Sequence, residues 1–597
     1  MQTPTAFPHA SGNRRSGVLL LAMLAGTLLV AYVSLFFQRG FGFPVGADAS
    51  VYLWWTGLAG NKGLSVVNGR AGIPAVALVL SGVSGVGTVT IYAGLQCALG
   101  TATGLAAAAL VAHDKQVTRH VILVGLLSGT FAVYIATGYF STLGFGLLLL
   151  GAMVCLAEGT DRATVLAAGL LGAAGLTHAL FFGIGAAVLL LTAVLAVRAG
   201  ERAQAVSIVG AVLGAGSLLG IGAVALSAGV APLVADTSRD GFLRRVGLLT
   251  LLRSLYVHRV ALHAAHFVLW ASVPLGVVGW RATSGYLRRL LTSWTVILSL
   301  GISLGLATGW FPPERVLSVS FVVPILAATG IESLLSRRHA ASALAAAAGV
   351  AVLLVAAGWV WFQAVPPVFP IEAARAEEAA RYAAATPPGT PLVFEVSGAD
   401  PLTFLATRAA NEFRAAVPPD RISDVYIAVP PPEPGADAER QALWRRYRAD
   451  LAAAVRRSGL QPVTFRLTPF IRTPFAGPAG PARAVLPGVR ILGEPDAPDA
   501  SVATPLTPSS PLQIAVAAVL TLLLLAAVGS GWVRGALSLG ILGVAISPGV
   551  GLGVLTLSAI GLERVGVQLS SRTGAASAMI LATAGGWVLS WRRSRLG

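Results

Sequence analysis

The chain has 597 residues, of which 55% are hydrophobic and only 11% charged, and its net charge is +17. A soluble protein of ordinary composition carries about 25% charged residues, so this composition excludes a soluble globular protein and predicts a polytopic membrane protein. The positive charge does not indicate nucleic-acid binding, because most basic residues fall in short connections between apolar runs rather than on one continuous polar face.

Apolar runs long enough to cross a bilayer recur along the whole chain. They predict an all-α polytopic membrane protein with about 14 transmembrane helices and both termini on the same side. The loops on that side collect the basic residues, so the positive-inside rule predicts that it is cytoplasmic. The expected spans are 17–37, 86–112, 121–138, 142–157, 163–178, 180–198, 206–230, 258–280, 290–309, 316–335, 341–362, 511–533, 535–558 and 574–591.

One apolar stretch does not fit a simple crossing. Residues 71–112 are long enough for two spans, yet the charge pattern requires an odd number of crossings there. We therefore expect residues 71–85 to form an interfacial or re-entrant helix that precedes the span 86–112.

The chain divides into three expected regions. Residues 1–362 form a transmembrane catalytic module, residues 363–510 form an extracytoplasmic insertion, and residues 511–597 form a C-terminal three-helix transmembrane segment. The insertion contains equal numbers of acidic and basic residues, so the positive charge of the chain belongs to its membrane part. The protein is accordingly expected in the cell membrane, with multiple spans and with residues 363–510 outside.

The insertion has the pattern of a small α/β domain. Apolar runs typical of strands alternate with a helical pattern over residues 437–458, which predicts a parallel sheet. Residues 473–511 are rich in proline, alanine and glycine, which predicts an extended linker. The predicted strands are 391–396, 424–429 and 462–468.

The first predicted outer loop contains Asp48, the only acidic residue among the first 113. A carboxylate held at a membrane surface is costly to keep, so it indicates a functional site. One role for it is a general base that accepts a proton from an attacking hydroxyl group. The alternative is a helix N-cap or a loop-ordering residue before a helix that starts at Ala49.

Aromatic residues follow Asp48 within two helical turns. Tyr52, Trp54 and Trp55 offer flat apolar faces on which a sugar ring can stack. The alternative is the aromatic belt that many membrane proteins place at the bilayer surface.

A later outer segment, 231–259, is dense in arginine on the side where the positive-inside rule expects few basic residues. Arg239, Arg244 and Arg245 are candidates for binding a phosphate group, because a guanidinium group donates two parallel hydrogen bonds. An interfacial amphipathic helix explains the same pattern.

Two further positions complete the candidate site. Glu314 and Arg315 lie at the outer mouth of the span 316–335, where they either clamp a phosphate group or mark the end of a helix. His178 lies at the tight turn of a predicted hairpin, where it either donates to a phosphate or leaving group or serves a structural role.

No metal site is expected. His263 and His266 are three residues apart on a predicted helix with His258 before them, but no carboxylate accompanies them, and zinc or iron needs three or four convergent ligands. Cys97 and Cys155 both lie inside apolar runs, which excludes a disulfide framework and a cysteine-based metal site.

The pattern of Asp48 in the first outer loop, interfacial helices after it and a Leu-Thr-His-Ala-Leu-Phe-Phe turn at 176–182 resembles the GT-C superfamily of integral membrane glycosyltransferases. The run that follows Arg315, with Phe321 and a later Pro-Ile-Leu-Ala, is similar to a stretch in protein O-mannosyltransferases and lipid A aminoarabinose transferases. The resemblance covers residues 15–365.

This resemblance implies a polyprenyl-phosphate-sugar donor and an inverting transfer on the outer face, with Asp48 as the catalytic base and Arg315 at the lipid phosphate. The chain departs from the family at His178, where lysine is frequent, and at Val316, where tyrosine is usual. It also has one acid in the first loop where some members pair two, and it lacks clear matches to the further acids of metal-dependent members. A metal-independent enzyme with no cofactor is therefore expected.

The expected partners are the lipid-linked sugar, membrane lipids and an acceptor that is a glycan, a lipid or a protein, with no nucleic acid. Cell-envelope polysaccharide biosynthesis is one process that such an enzyme serves. A transporter or flippase for a lipid-linked saccharide is the main alternative, although the predicted span interiors are nearly free of charge. A third possibility is a scaffold that presents residues 363–510 outside the cell.

Overall fold

The computed structural model describes fifteen parts of the chain, which are mainly α-helical. Among the described residues, nine helices are long and apolar enough to cross a membrane, so the protein is membrane-embedded. The total of 14 spans stays a prediction, because most of the expected span 258–280 lies outside the described residues. The described residues are 12–46, 48–67, 70–112, 119–136, 139–225, 273–308, 319–337, 339–359, 383–396, 411, 414–428, 438–460, 462–468, 488–491 and 506–596.

The helices follow one another with short connections through most of the membrane part. Residues 273–282 are also helical. The labelled helices are α1 (Gly12–Arg39), α2 (Ala49–Lys62), α3 (Gly72–Ser84), α4 (Thr88–Ala112), α5 (Arg119–Ala136), α6 (Phe140–Glu158), α7 (Asp161–Thr177), α8 (Ala179–Arg198), α9 (Arg202–Ala225), α10 (Gly285–Thr308), α11 (Val322–Leu335), α12 (Ala340–Trp359), α13 (Ala438–Ser458), α14 (Pro511–Ala536), α15 (Leu542–Arg564) and α16 (Arg572–Leu596).

Local sequence explains where several of these helices begin and end. The hydroxyl group of Thr160 accepts a hydrogen bond of 3.3 Å from the amide of Ala163 and so caps α7. A capping box starts α14, in which Ser510 and Gln513 each accept a hydrogen bond from the other's amide. Gly85 ends α3 in the left-handed conformation, with φ of 72°, which glycine adopts without strain.

The helix α4 forms the centre of the bundle, and its apolar window is completely buried. It packs against α5, α6, α14 and α15. Small residues allow the close crossing with α5, since a Cβ atom at Gly104 would lie 2.6 Å from the carbonyl oxygen of Gly125. The last three helices are part of the same core, because α14 packs on α4 and α15 packs on α3, α6 and α7.

The short helix α3 lies along one end of the bundle. At its start, Gly72 touches Thr177 at the end of α7, and near its other end Gly82 contacts Ala575 at the start of α16. Both contacts lie at the end where α2 packs on α3, which we call the α2 end. The helix α3 therefore runs across this end instead of crossing the bundle. The interfacial or re-entrant position of residues 71–85 stays a prediction.

The opposite end of the bundle is marked by charged side chains that join neighbouring helices. Arg289 of α10 forms an ion pair with Glu201, just before α9. Glu158, the last residue of α6, accepts a hydrogen bond of 3.0 Å from the amide of Ser538, which follows α14. The assignment of this end to the cytoplasm stays a prediction.

The residues between α12 and α14 contain a four-stranded sheet in the order β2-β1-β3-β4. Its central strand β1 (Leu392–Val396) pairs in parallel with β2 (Val425–Ala428) and with β3 (Val463–Thr468), as the sequence pattern predicted. The prediction of an extended linker over 473–511 is wrong in part, because Gly488–Ile491 forms β4, antiparallel to β3. The extracytoplasmic position of this region stays a prediction.

Candidate active site

Asp48 is the residue that immediately precedes α2, and it is partly exposed at the α2 end. The predicted helix start at Ala49 is confirmed, and Asp48 occupies the N-cap position. In the described part of the chain, however, its carboxylate makes no capping hydrogen bond to α2. Because a capping aspartate normally accepts a bond from the second or third amide, the simple N-cap role does not account for this side chain.

Tyr52 lies one turn after Asp48 and is completely buried. Its hydroxyl group donates a hydrogen bond to Ser141 Oγ and accepts one of 3.0 Å from the Ser141 amide. Its ring packs edge-on against Trp55 and Phe140, with centroid separations of 5.4 and 5.2 Å. Tyr52 therefore joins α2 to the start of α6, and a direct sugar contact, which stays a prediction, would require its ring to be uncovered.

An arginine lies over the ring of each tryptophan on α2. The guanidinium carbon of Arg70 is 5.9 Å from the Trp55 ring centre, and that of Arg414 is 5.4 Å from the Trp54 ring centre. Both distances are within the range of a cation–π interaction. The two tryptophan rings also contact each other edge-on at 5.9 Å. The aromatic side of α2 is thus covered by positive charge.

Arg414 connects α2 to the part of the chain that carries the sheet. It donates a hydrogen bond of 3.0 Å to the carbonyl oxygen of Val425, the first residue of β2. The 3₁₀ helix Pro419–Asp424, which leads into β2, packs on α2, and Pro419 comes 3.9 Å from a Cβ placed at Gly57. The sheet-bearing segment therefore covers α2 directly.

Asp48 and Arg70 exert opposite electrostatic effects on Tyr52. Burial raises the pKa of the Tyr52 hydroxyl above its ordinary value of 10.0, because the interior disfavours the charged form. Arg70 lowers this pKa and Asp48 raises it, so both charges lie within electrostatic reach of the same hydroxyl group. Arg70 also lies over the ring of Trp55, which packs on Tyr52, so a carboxylate and a guanidinium group lie in one part of the α2 end.

His178 is the single residue between α7 and α8, as the predicted hairpin turn required. It is buried, and its Nδ1 accepts a hydrogen bond of 3.4 Å from the amide of Phe181, so it caps α8. Its ring stacks on that of Phe181 with centroids 3.7 Å apart. Because Nδ1 accepts, the proton of the neutral ring lies on Nε2. These contacts give His178 a structural role, and a contact with substrate stays a prediction.

The turn at His178 is joined to the first loop through α3. A Cβ atom at Gly72 would overlap the hydroxyl group of Thr177, so only glycine allows the start of α3 to approach so closely. Gly144 of α6 is packed as tightly, with Ile73 Cδ1 2.7 Å from a Cβ placed there. Arg70, two residues before α3, is therefore on the same end of the bundle as His178.

Glu563 and Arg564 form a charged pair at the last two positions of α15. This pair was not among the predicted site residues. Glu563 Oε1 accepts a hydrogen bond of 3.0 Å from the amide of Leu64, in the loop that follows α2. Glu563 Oε2 and Arg564 Nε are 3.6 Å apart, which is an ion pair without a hydrogen bond. A signal was present in the sequence, because an acid and an arginine follow the predicted span 535–558 on the side that is predicted to carry Glu314 and Arg315.

Several predicted site residues lie outside the described residues, which leaves their roles as predictions. The nearest described segment begins at Val319, whose carbonyl oxygen accepts a hydrogen bond of 2.9 Å from Trp294 Nε1. The ring of Phe321 packs against Gly146 of α6. The predicted residues outside the described parts are Arg239, Arg244, Arg245, Glu314 and Arg315.

A resident metal ion was not expected, and this expectation stays a prediction. Within the described parts of the chain, no group of three or more histidine, cysteine, aspartate or glutamate side chains converges. His258, His263 and His266 lie outside those parts. Cys97 and Cys155 are described, and both are buried free thiols.

No protein-family profile matches the chain, and no curated protein is significantly similar to it. The class that the fold defines is thus a helical membrane-embedded protein with a small mixed sheet between two of its membrane helices.

Proposed function

We propose that the protein is a membrane glycosyltransferase that moves a sugar from a polyprenyl-phosphate donor to an acceptor hydroxyl on the extracytoplasmic side. The observation that carries the proposal is the state of Asp48, a carboxylate at the α2 end that is not used to cap its own helix. Arg70 lies over the ring of Trp55, two turns of α2 after Asp48, so this end offers both a base and a cation. The resemblance to GT-C enzymes, whose first outer loop carries an aspartate as the catalytic base, supports the same assignment.

The reaction follows from these two groups. Asp48 accepts the proton of the acceptor hydroxyl while its oxygen bonds to the anomeric carbon of the sugar. The bond between that carbon and the phosphate oxygen breaks, and polyprenyl phosphate leaves as an anion. Arg70, together with Arg315, is assigned to stabilise this developing charge. A single displacement with one carboxylate inverts the anomeric configuration.

The distribution of charge favours an enzyme over a transporter. In the described spans α4, α6, α8 and α15, charged residues are either absent or confined to the last two positions of the helix. Transporters instead place charged or broken-helix sites near the middle of the membrane. Asp48, Arg70 and Glu563 all belong to the α2 end, which suits chemistry at a membrane surface.

The proposal is tested in the native cell after deletion of the chromosomal copy, with complementation by wild type, Asp48→Asn or Asp161→Asn. Asp161 is a matched control, because it is an exposed aspartate in the first turn of α7, at the opposite end of the bundle. Envelope glycans and the polyprenyl-phosphate-sugar pool are measured by mass spectrometry, and membrane abundance by immunoblot.

Loss of a general base lowers a rate by about 100-fold to 10,000-fold. Asp48→Asn is therefore expected to reach the membrane normally, to lack the product glycan and to accumulate the donor, while Asp161→Asn behaves as wild type. Normal glycan in cells with Asp48→Asn would refute the assigned base. In reconstituted vesicles, movement of a labelled donor across the bilayer without transfer would instead support the transporter alternative.

A further inference from the structure

The charged pair Glu563 and Arg564 has hydrogen-bonding capacity that the protein does not use. Among the residues that the structure describes, three atoms of the pair are buried without a hydrogen-bond partner, namely Glu563 Oε2, Arg564 Nε and Arg564 Nη2. The side chains are only 16% and 22% exposed. Buried polar groups in native proteins nearly always have partners, so a buried set of two donors and one acceptor indicates a ligand site.

The two nitrogen atoms of Arg564 that lack a hydrogen-bond partner define the chemistry of that ligand. Nε and Nη2 lie on the same edge of the guanidinium group, and their N–H bonds point in parallel. This edge matches two oxygen atoms of a phosphate or carboxylate group. Glu563 Oε2 beside it requires a donor, which a hydroxyl group on the phosphate or on an adjoining headgroup supplies.

The local structure holds this pair in place. Glu563 is fixed through its other oxygen, which accepts the hydrogen bond from Leu64. Gly63 makes the approach possible, because its φ is 83° and a Cβ atom there would lie 2.6 Å from Glu563 Oε1. A substitution at Gly63 would therefore displace the carboxylate that completes the site.

The chain segments next to the pair also carry basic residues. Lys62 ends α2, two residues before Leu64, and Arg572 begins α16. These segments are joined by a hydrogen bond of 2.8 Å from Ser570 Oγ to the carbonyl oxygen of Gly60. Only Arg564 and Glu563 are assigned to contacts with the ligand.

This site is separate from Asp48. The 14 residues of α2 lie between Asp48 and the loop that contacts Glu563, and a helix of this length measures about 21 Å. A sugar phosphate at Asp48 does not reach that far. We propose that Arg564 and Glu563 bind a phosphate ester at a second position of the α2 end, with two phosphate oxygens on Arg564 and a hydroxyl on Glu563. The proposal is independent of the transferase activity.

The experiment uses the purified full chain in maltoside micelles, which contain no phosphate. Isothermal titration calorimetry measures the binding of inorganic phosphate, of dihexanoyl phosphatidate and of dihexanoylglycerol, which lacks the phosphate. The variants are Arg564→Lys, which keeps the charge but loses the paired donors, and Arg564→Gln. Arg572→Gln is the matched control, since Arg572 is a nearby exposed arginine. Size-exclusion profiles establish that each variant is folded.

We expect a phosphate probe to bind wild type and Arg572→Gln alike, and to bind Arg564→Lys at least about tenfold more weakly, because a charge-assisted hydrogen bond is lost. Binding of phosphatidate alone identifies a lipid headgroup, and equal binding of inorganic phosphate identifies a soluble ligand. Undiminished affinity in both Arg564 variants, or equal binding of dihexanoylglycerol, would overturn the proposal.

Asp48→Asn separates this inference from the proposed reaction. The variant is expected to lack transferase activity and to bind the phosphate probes like wild type. If Asp48→Asn weakened phosphate binding as much as Arg564→Lys, the idea of a second, separate position would be wrong. If the proposed transferase activity were refuted, the proposal of a phosphate site at Arg564 would still stand.

Discussion

The hydroxyl group of Tyr52 is expected to stabilise the fold by capping α6 from another helix. The Ser141 amide is the second of α6, so it has no acceptor within its own helix, and Tyr52 supplies one at 3.0 Å. The same hydroxyl donates to Ser141 Oγ. Tyr52→Phe removes both bonds and leaves two buried polar groups of Ser141 without Tyr52 as their partner.

The expected cost can be worked out from these two contacts. Loss of a helix cap costs about 1 kcal/mol, and loss of a buried hydrogen bond costs about 1 kcal/mol more. The sum of about 2 kcal/mol corresponds to a change of about 30-fold in the folding equilibrium. Tyr92→Phe is the matched control, because Tyr92 is also fully buried but bonds only to the Thr56 hydroxyl, at 2.5 Å, among the described contacts. It is expected to cost about 1 kcal/mol.

The measurement is equilibrium unfolding of the full chain in detergent micelles, followed by tryptophan fluorescence. The difference in the free energy of unfolding between wild type and Tyr52→Phe should not change between pH 6 and pH 9. Burial raises the pKa of Tyr52, so its hydroxyl group stays protonated in the folded state. Above pH 10 the unfolded chain releases the proton first, so the stability of wild type falls as the pH rises. A Tyr52→Phe variant that is as stable as Tyr92→Phe would refute the capping role.

Two further substitutions test how the α2 end is assembled. Gly72→Ala is expected to lower the free energy of unfolding by about 1–3 kcal/mol, because the added methyl group overlaps the Thr177 hydroxyl group. Gly87→Ala is the control and should be neutral, because a Cβ atom at Gly87 meets nothing within 4 Å. Equal thermal stability of the two variants would contradict the close approach of α3. His178→Ala is expected to cost about 1 kcal/mol through loss of the α8 cap, whereas His178→Asn keeps an acceptor and should retain most of the stability. If both His178 variants were equally unstable in a thermal unfolding assay, the side chain would act through packing on Phe181 instead.

The local features of this chain were predictable because short-range patterns decide them. The apolar runs predicted the long helices, and the alternation of strand and helix patterns predicted β1, β2 and β3. The start of α2 at Ala49 and the hairpin turn at His178 also follow from neighbouring residues. In contrast, β4 was missed because its four residues lie in a segment rich in proline and alanine, and only pairing with β3 makes them a strand.

The contacts of the candidate site were not predictable, because they join residues far apart in the chain. Asp48 was recognisable as a lone acid, but nothing local indicates that Arg70 acts on the same tyrosine hydroxyl. The position of Arg414 over Trp54 depends on how the sheet-bearing segment packs on α2. The burial of Tyr52 likewise results from α4 and α6, which supply Tyr92 and Phe140.

The hydrogen bond between Leu64 and Glu563 has a consequence for the order in which the protein is assembled. The two residues are 499 positions apart, so the loop after α2 leaves the ribosome long before its anchor has been synthesised. During synthesis, this loop lacks its hydrogen bond to Glu563 until α15 has been made. The loop after α2 is therefore fixed only late in synthesis, and its final position depends on the insertion of α15.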